Sequence, residues 1–414
     1  MAPLSLPGSK LNVQRLANPL PIVPELFGFI PTSSLSAWVS SDLALIGWGK
    51  RRMHREPGTT AITDADCRWN NFSPKLPQEK SLPFELPIAF GSFGFASGGL
   101  LEIPANLLVA TRQDTWLISY EGEDLRPLFP SPSKLRQLGS KRLAALPPLG
   151  KGAERPGALT GAEWAEAVAN VAARLRQGEA KKVVLARNKR ITTATPIDQR
   201  GLCAALFAAY PTCWIYAVQG LVGATPELLA STSNGNLFCR VLAGTAGPDE
   251  GAKLLASAKD QREHEIAVAS VREALSPLTT ELQIPAAPAL LRLPNVCHLA
   301  TDVHAKTNSS ALAAAGALHP TAAVCGTPTD VARKILAAAE QMNRGRYAGP
   351  VGWVDKAGNG EFGIALRGGQ ILEGARQIDI YAGAGIMPES DPQTELAETE
   401  AKMQPMVAAL DSLS

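Results

Sequence analysis

The sequence lacks the usual marks of a membrane, a secretory route or a nucleic-acid partner. No run of roughly 18 apolar residues is free of charges and breakers; the nearest, 82–110, contains Glu85, Glu102 and three prolines. A membrane span is therefore excluded. The N-terminus, MAPLSLPGSK, shows no basic segment followed by an apolar one, so no secretory leader is expected and the expected compartment is the cytoplasm. Neither sign of charge dominates. With 40 Lys+Arg against 38 Asp+Glu, a formal charge of +2 argues against nucleic acid or an anionic membrane surface and leaves small anionic substrates open. The six cysteines (Cys67, Cys203, Cys213, Cys239, Cys297, Cys325) form no CxxC pair, which fits neither a zinc site nor a disulfide scaffold and predicts reduced, mostly buried thiols.

Motifs are missing too. GSFGFASGG lacks the spacing of a dinucleotide-binding loop and instead suggests close backbone packing. There is no P-loop, His264-Glu265 is not followed by a second histidine at zincin spacing, and no G-x-S-x-G is present.

What is present is an ordinary globular composition, 45% hydrophobic and 6% aromatic, in a chain of 414 residues that can bury a large core. Residues 1–34 read as an irregular, proline-rich lead-in. Short apolar runs between Leu35 and Tyr120 read as β-rich structure. The stretch from Arg126 to Arg155 carries seven Lys/Arg, one acid and five prolines and reads as a solvated linker. Thr160 and Glu163 make a capping box for an amphipathic helix ending near Gly178, followed at once by the strand KKVVLAR. Further strands lead to a long helix over about 252–275, an alanine-rich helix near 311–318, more strands, and a last helix.

Two of these helices place acids unusually. Asp260 and Glu263 share a face, with Glu265 turned away; Asp391 can cap the last helix, putting Glu395, Glu398 and Lys402 within roughly a 60° arc at about 100° per residue. Such a stripe also suits a solvated, salt-bridged surface. Taken together, however, carboxylates from two helices form the hard oxygen donor set that suits Mg²⁺, which binds one or two carboxylates along with waters and an anionic substrate.

In order along the chain, KVVLAR (182–187), GATPELL (223–229), LAGTA (242–246), KDQREHE (259–265), CHLAT (297–301), LHPTAAVCGTP (318–328), YAGPVGW (347–353), ALR (365–367), YAGAGIMPESDP (381–392) and ELAETEAK (395–402) resemble the chorismate-utilising enzymes, most closely their isochorismate synthase branch. The resemblance covers about 158 to the end; before that it is weak, carried by AFGSFGF and IPANLLV. It implies an α+β fold: a single large unit of extensive β-sheets flanked by helices around a deep cleft. Residues 1–157 form its N-terminal β-rich part with linker, and 158–414 its chorismate-binding region. It also implies Mg²⁺-dependent isomerisation of chorismate to isochorismate, in which water is added at C2 and hydroxyl lost from C4, feeding menaquinone or siderophore synthesis.

By position, the resemblance makes Lys182 the base that activates water and Glu227 the acid that protonates the leaving hydroxyl. A lysine base must be neutral, and at an ordinary pKa near 10.4 only roughly one in 2,500 is so at pH 7. Burial among Val184 and Ala186 would favour the neutral form. On pattern alone, Lys182 reads as a surface lysine at a strand start, and Glu227 also suits a strand-edge surface acid. Glu263 and Glu398 match metal-contacting glutamates, with Glu395 and Asp260 holding metal waters. Arg367, with the backbone at Gly383 and Gly385, matches the grip on the enolpyruvyl carboxylate; Gly244 and Thr245 match contacts to the ring carboxylate, and Lys402 supports the acids. His298 is either a neighbour of the substrate or a satisfied core histidine. Pro405, just past Lys402, is expected to kink the last helix and disturb Lys402.

Three positions separate the branches. Lys182 stands where ammonia-using anthranilate synthases tend to carry glutamine, so no glutamine amidotransferase subunit is expected. Ala243 stands where aminodeoxychorismate synthases place a lysine nucleophile. Ala323 stands where salicylate synthases, which go on to release pyruvate, usually show Thr or Ser. A salicylate synthase is the enzymatic alternative, and a non-catalytic ligand-binding member the other.

Overall fold

The computed structural model describes residues 4–76, 81–150, 152–294 and 296–414. Among the described residues twenty strands join in one network, and the named strand pairs are antiparallel. Its root is the long strand Gly99–Thr111, which pairs with Leu43–Glu56, Ala89–Phe93 and Thr115–Ser119. From there two arms run out. The first passes through Leu43–Glu56, Ser36–Val39, Trp214–Val218, Leu221–Thr225, Gly368–Ile371 and Gln377–Ile386 to Lys182–Thr192. The second passes through Ala89–Phe93, Pro350–Val354, Gly360–Ile364, Leu228–Ser233 and Asn236–Ala246 to Cys297–Thr307. Strands from before residue 157 thus pair directly with strands after it. Alternation along the strands feeds two cores: Leu45, Leu107 and Val109 enter one, while Ala44, Ile46 and Leu108 enter the other.

Several sequence expectations hold. Thr160 and Glu163 form the reciprocal capping box of Gly161–Arg176, and Asp391 caps Pro392–Asp411 by accepting from Thr394 N–H. The glycine-rich segment packs backbone on backbone: a Cβ at Gly94 would lie 2.0 Å from the Ser97 carbonyl. Five of the cysteines are buried, Cys67 is exposed, and all six are free. No helix among the described residues is long and apolar enough to cross a membrane.

Other expectations are corrected. The lead-in contains the strand Asn12–Arg15, paired with Thr115–Ser119, and a 3-10 turn at Pro24–Phe29. The 126–155 stretch is not a bare linker, since Pro132–Ala144 is a helix. Its basic residues face water, and it packs through Leu135 and Gly139, so the apolar signal is thin. The 252–275 stretch is two helices, Gly251–Ala256 and Ala258–Leu275, divided at Ser257, whose side chain caps the second by accepting from Asp260 N–H. The last helix continues through the buried Pro405.

The strand Lys182–Thr192 is central. On one edge it pairs along its length with Gln377–Ile386; on the other its ladder with Gly326–Thr327 covers only Val183 and Lys182. Glu154–Pro156 pairs with Lys189–Ile191 farther along that edge, and side chains brace the stretch between. Glu340 Oε1 accepts the Ala186 N–H at 2.8 Å, and Arg344, paired with Glu340, donates to the Val184 carbonyl at 2.6 Å and the Val324 carbonyl at 2.8 Å. Both members of the pair are buried. Arg344→Ala strands the Glu340 charge and is expected to cost about 3–5 kcal/mol, read as a lower midpoint in chemical denaturation; a variant within 1 kcal/mol of wild type, roughly the median for an exposed pair, would show that the pair does not brace the strand.

Candidate active site

Lys182 opens its strand and has no exposed surface, with its Nζ 2.9 Å from Glu263 Oε1. It is not a surface lysine. Burial works against the Glu263 charge, but Lys182 beside it wins and holds the carboxyl below its ordinary value. Glu263 is brought there by the Ala258–Leu275 helix, which the next residue pins to the sheet: His264 Nδ1 meets the Ala243 carbonyl at 3.1 Å and Nε2 meets Thr301 Oγ1 at 2.7 Å. The pair also needs a glycine. A Cβ on Gly385 would lie 2.2 Å from Glu263 Oε1 and 3.1 Å from Lys182 Cε.

At two short crossings between the arms the chain carries a candidate site residue. Pro226 and Glu227 link Leu221–Thr225 of the first arm to Leu228–Ser233 of the second; residues 365–367 link Gly360–Ile364 back to Gly368–Ile371. Glu227 is buried, not a strand-edge surface acid. Desolvation pushes its carboxyl up to about 8, against the weaker pull of the Leu242 N–H and of Lys182, Lys402 and Arg367. Glu227 is therefore protonated at neutral pH while Glu263 is charged. Arg367 holds a left-handed backbone, φ 48°, and donates from Nη2 to His298 Nε2 at 2.8 Å, while its buried Nη1 has no hydrogen-bond partner. His298 Nδ1 faces Thr245 Oγ1 at 3.1 Å. Burial, with Arg367 and Lys402 adding to it, holds His298 well below its ordinary value, so the ring is neutral and its proton is assigned to Nδ1. Gly244, φ +82°, forms the bulge that offsets Thr245 from Ala243 against the Cys297–Thr307 strand.

The acids come together as the helix pattern predicts. Glu395 and Glu263 are buried, and Asp260 and Glu395 are pushed up, first by burial and then by neighbouring carboxylates, Glu398 among them. Glu395 accepts from Lys259 and from Ser390 Oγ, each at 2.7 Å; Glu398 is paired with Lys402, which also donates to the Gly383 carbonyl at 3.0 Å. Among the described residues no three His, Cys, Asp or Glu side chains stand as a ready ligand group. The donor set is nonetheless all oxygen, and its carboxylates repel one another, which fits a hard divalent cation that needs only one or two of them.

Glu227, Gly244, Thr245, Glu263, His298, Ala323, Arg367, Gly383, Gly385 and Lys402 line one cavity of about 650 Å³, its open mouth included, while Lys182, Asp260, Glu395 and Glu398 lie outside that lining. The sequence matches the family described as chorismate binding enzyme over residues 32–411. This chain belongs to the chorismate-binding enzymes. It is 38% identical over 255 residues to the isochorismate synthase EntC of Escherichia coli, covering 58% of this chain and 65% of that protein. To the isochorismate synthase MenF of Bacillus subtilis it is 28% identical over 416 residues, 89% of this chain and 86% of that one. The solved structure of the menaquinone-specific isochorismate synthase MenF of Escherichia coli superposes with a TM-score of 0.75 at 24% identity, covering 98% and 96% of the two chains, which shows the shared α+β fold.

Some of the cavity wall escaped the sequence reading. Tyr347 and Tyr381 line it and stack, with ring centroids 5.0 Å apart and planes 13° apart; Arg344 lines it as well. Both tyrosines lie in the recognised blocks, but nothing in spacing tells a stacked wall from core packing. Gly385→Ala is expected to leave circular dichroism unchanged while lowering chorismate turnover by at least about 10²-fold, because the new methyl drives Glu263 from Lys182. Near-wild-type turnover would show that the contact is not needed.

Proposed function

We propose that this chain isomerises chorismate to isochorismate, and that the opposed protonation of two buried glutamates carries the reaction. Lys182 takes a proton from a water, whose oxygen bonds to C2 of the ring. As the double bonds shift, the C4–O bond breaks and Glu227 gives its proton to the departing hydroxyl. Glu227 meets the requirement for such an acid: its carboxyl is protonated up to about pH 8. The unpartnered Nη1 of Arg367 supports a grip on the enolpyruvyl carboxylate, with His298 holding the guanidinium in place. Gly244 and Thr245, on the cavity wall, would meet the ring carboxylate. Gly385 serves the Lys182–Glu263 pair, and Gly383 anchors Lys402.

Glu263 and Glu398 would hold Mg²⁺, with Glu395 and Asp260 orienting its waters. When bound, such an ion would supply charge neutralisation for the ring carboxylate and take up part of the Glu263 charge that Lys182 balances.

If Glu227 is the acid, ionisation of its carboxyl removes the proton donor, and chorismate turnover falls by about tenfold per unit on the alkaline side, above about pH 8. Glu227→Gln is expected to lower turnover by on the order of 10²- to 10⁴-fold with the fold intact. A rate that already falls through pH 4–5 would remove Glu227 from this role.

The salicylate alternative requires the bound isochorismate to transfer its C2 proton and release pyruvate. A hydroxyl at position 323 could contact the substrate, and Ala323, on the cavity wall, offers none. A lactate dehydrogenase-coupled assay is expected to show little pyruvate. Pyruvate formed in proportion to chorismate consumed would favour the alternative.

A further inference from the structure

Three glutamates of the site each hold one lysine, but the lysines are not equally fixed. Lys182 is fully buried beside Glu263. Lys402 is tied both to Glu398 on its own helix and to the Gly383 carbonyl. Lys259 differs from both. Its Nζ reaches from the Ala258–Leu275 helix to Glu395 Oε1 on the Pro392–Asp411 helix at 2.7 Å, and its side chain is 28% exposed against 2% for Glu395. It stands one turn before Glu263 and next to Asp260, at the joint of the two acid-bearing helices.

We propose that Lys259 is the internal counter-ion of the carboxylate site, neutralising Glu395 while no divalent cation is bound and competing with that cation for it. The inference rests on the reading of Asp260, Glu263, Glu395 and Glu398 as the cation-holding set. The acids of the two helices make a negative field, and the Lys259 ammonium answers it at Glu395. An ammonium on a four-carbon stem with a path to water can withdraw from such a field. Lys182 has no exposed surface, and Lys402 is held by a second anchor, the Gly383 carbonyl. A cation arriving between the helices brings waters that Glu395 would orient, and these must share that carboxylate with Lys259 or displace it. Lys259 is thus a positioning residue. It holds the two helices together when metal is scarce, at the expense of metal affinity.

The test uses full-length protein, Mg²⁺ titrated calorimetrically with and without chorismate, and thermal unfolding in chelator and in Mg²⁺. Lys259→Met is expected to bind Mg²⁺ about five-fold tighter or more, to melt lower than wild type in chelator, and to recover when Mg²⁺ is added. Lys259→Arg keeps the charge and is expected to behave as wild type. Arg262→Met removes an equal charge from the same helix, but one engaged with Glu389, and is expected to change Mg²⁺ affinity less. Binding by Lys259→Met that is no tighter than wild type, or an equal gain in Arg262→Met, overturns the counter-ion role and leaves the carboxylate reading standing. Absence of Mg²⁺ binding in every protein, with chorismate present, overturns the carboxylate reading and the competition together.

Discussion

Lys182 and Glu263 meet at 2.9 Å with almost no access to water, and much of the surrounding structure follows from keeping them there. A buried pair stays folded only if both charges are held in good geometry, because removing either partner strands the other. Three features supply that geometry. Gly385 leaves the space a side chain would occupy, His264 ties the Glu263 helix to two strands, and the Glu340–Arg344 pair closes the edge of the Lys182 strand where its ladder ends. Glu227, in the same cavity, has no such partner. Similar burial therefore has opposite results: Glu263 stays charged because Lys182 is adjacent, and Glu227 stays protonated because nothing comparable is. This divergence of two carboxyls in one pocket is what the proposed division between an acid and an electrostatic support requires.

The sheet network explains how such a site can be assembled from distant segments. Two arms leave the Gly99–Thr111 strand, and their far ends carry Lys182, Gly383 and Gly385 on one side and Gly244, Thr245 and His298 on the other. The chain crosses between the arms at 226–227 and at 365–367, placing Glu227 and Arg367 at the junctions. The backbone at both crossings is locked to its neighbours: Ile364 N–H donates to the Glu227 carbonyl and Ala224 N–H to the Arg367 carbonyl. Glu227 and Arg367 thus sit on backbone held by both arms, so neither depends on a mobile loop.

Legibility in the sequence followed the range of the interaction. Local signals were readable: the capping box at Thr160 and Glu163, the Asp391 cap, and the shared face of Asp260 and Glu263 each depend on residues three or four apart. The Ser257 cap was local too, but it lay inside an unbroken helical pattern that masked it. The Pro132–Ala144 helix buries so little that its charges outweighed its pattern. Long-range features were invisible to spacing. The exposure of Lys182, the stacking of Tyr347 on Tyr381 and the reach of Lys259 to Glu395 depend on how remote segments meet, and only the ordered family blocks hinted that they would.

The central claim is that Glu227 carries a proton at neutral pH inside the cavity. Infrared difference spectra of wild type against Glu227→Gln, recorded across a pH titration, report that proton through the carboxylic C=O stretch. The account predicts a protonated-carboxyl band, missing in the variant, that persists at pH 7 and is lost with a midpoint near 8. A band already gone by pH 6, with a midpoint in the ordinary range near 4–5, would contradict it.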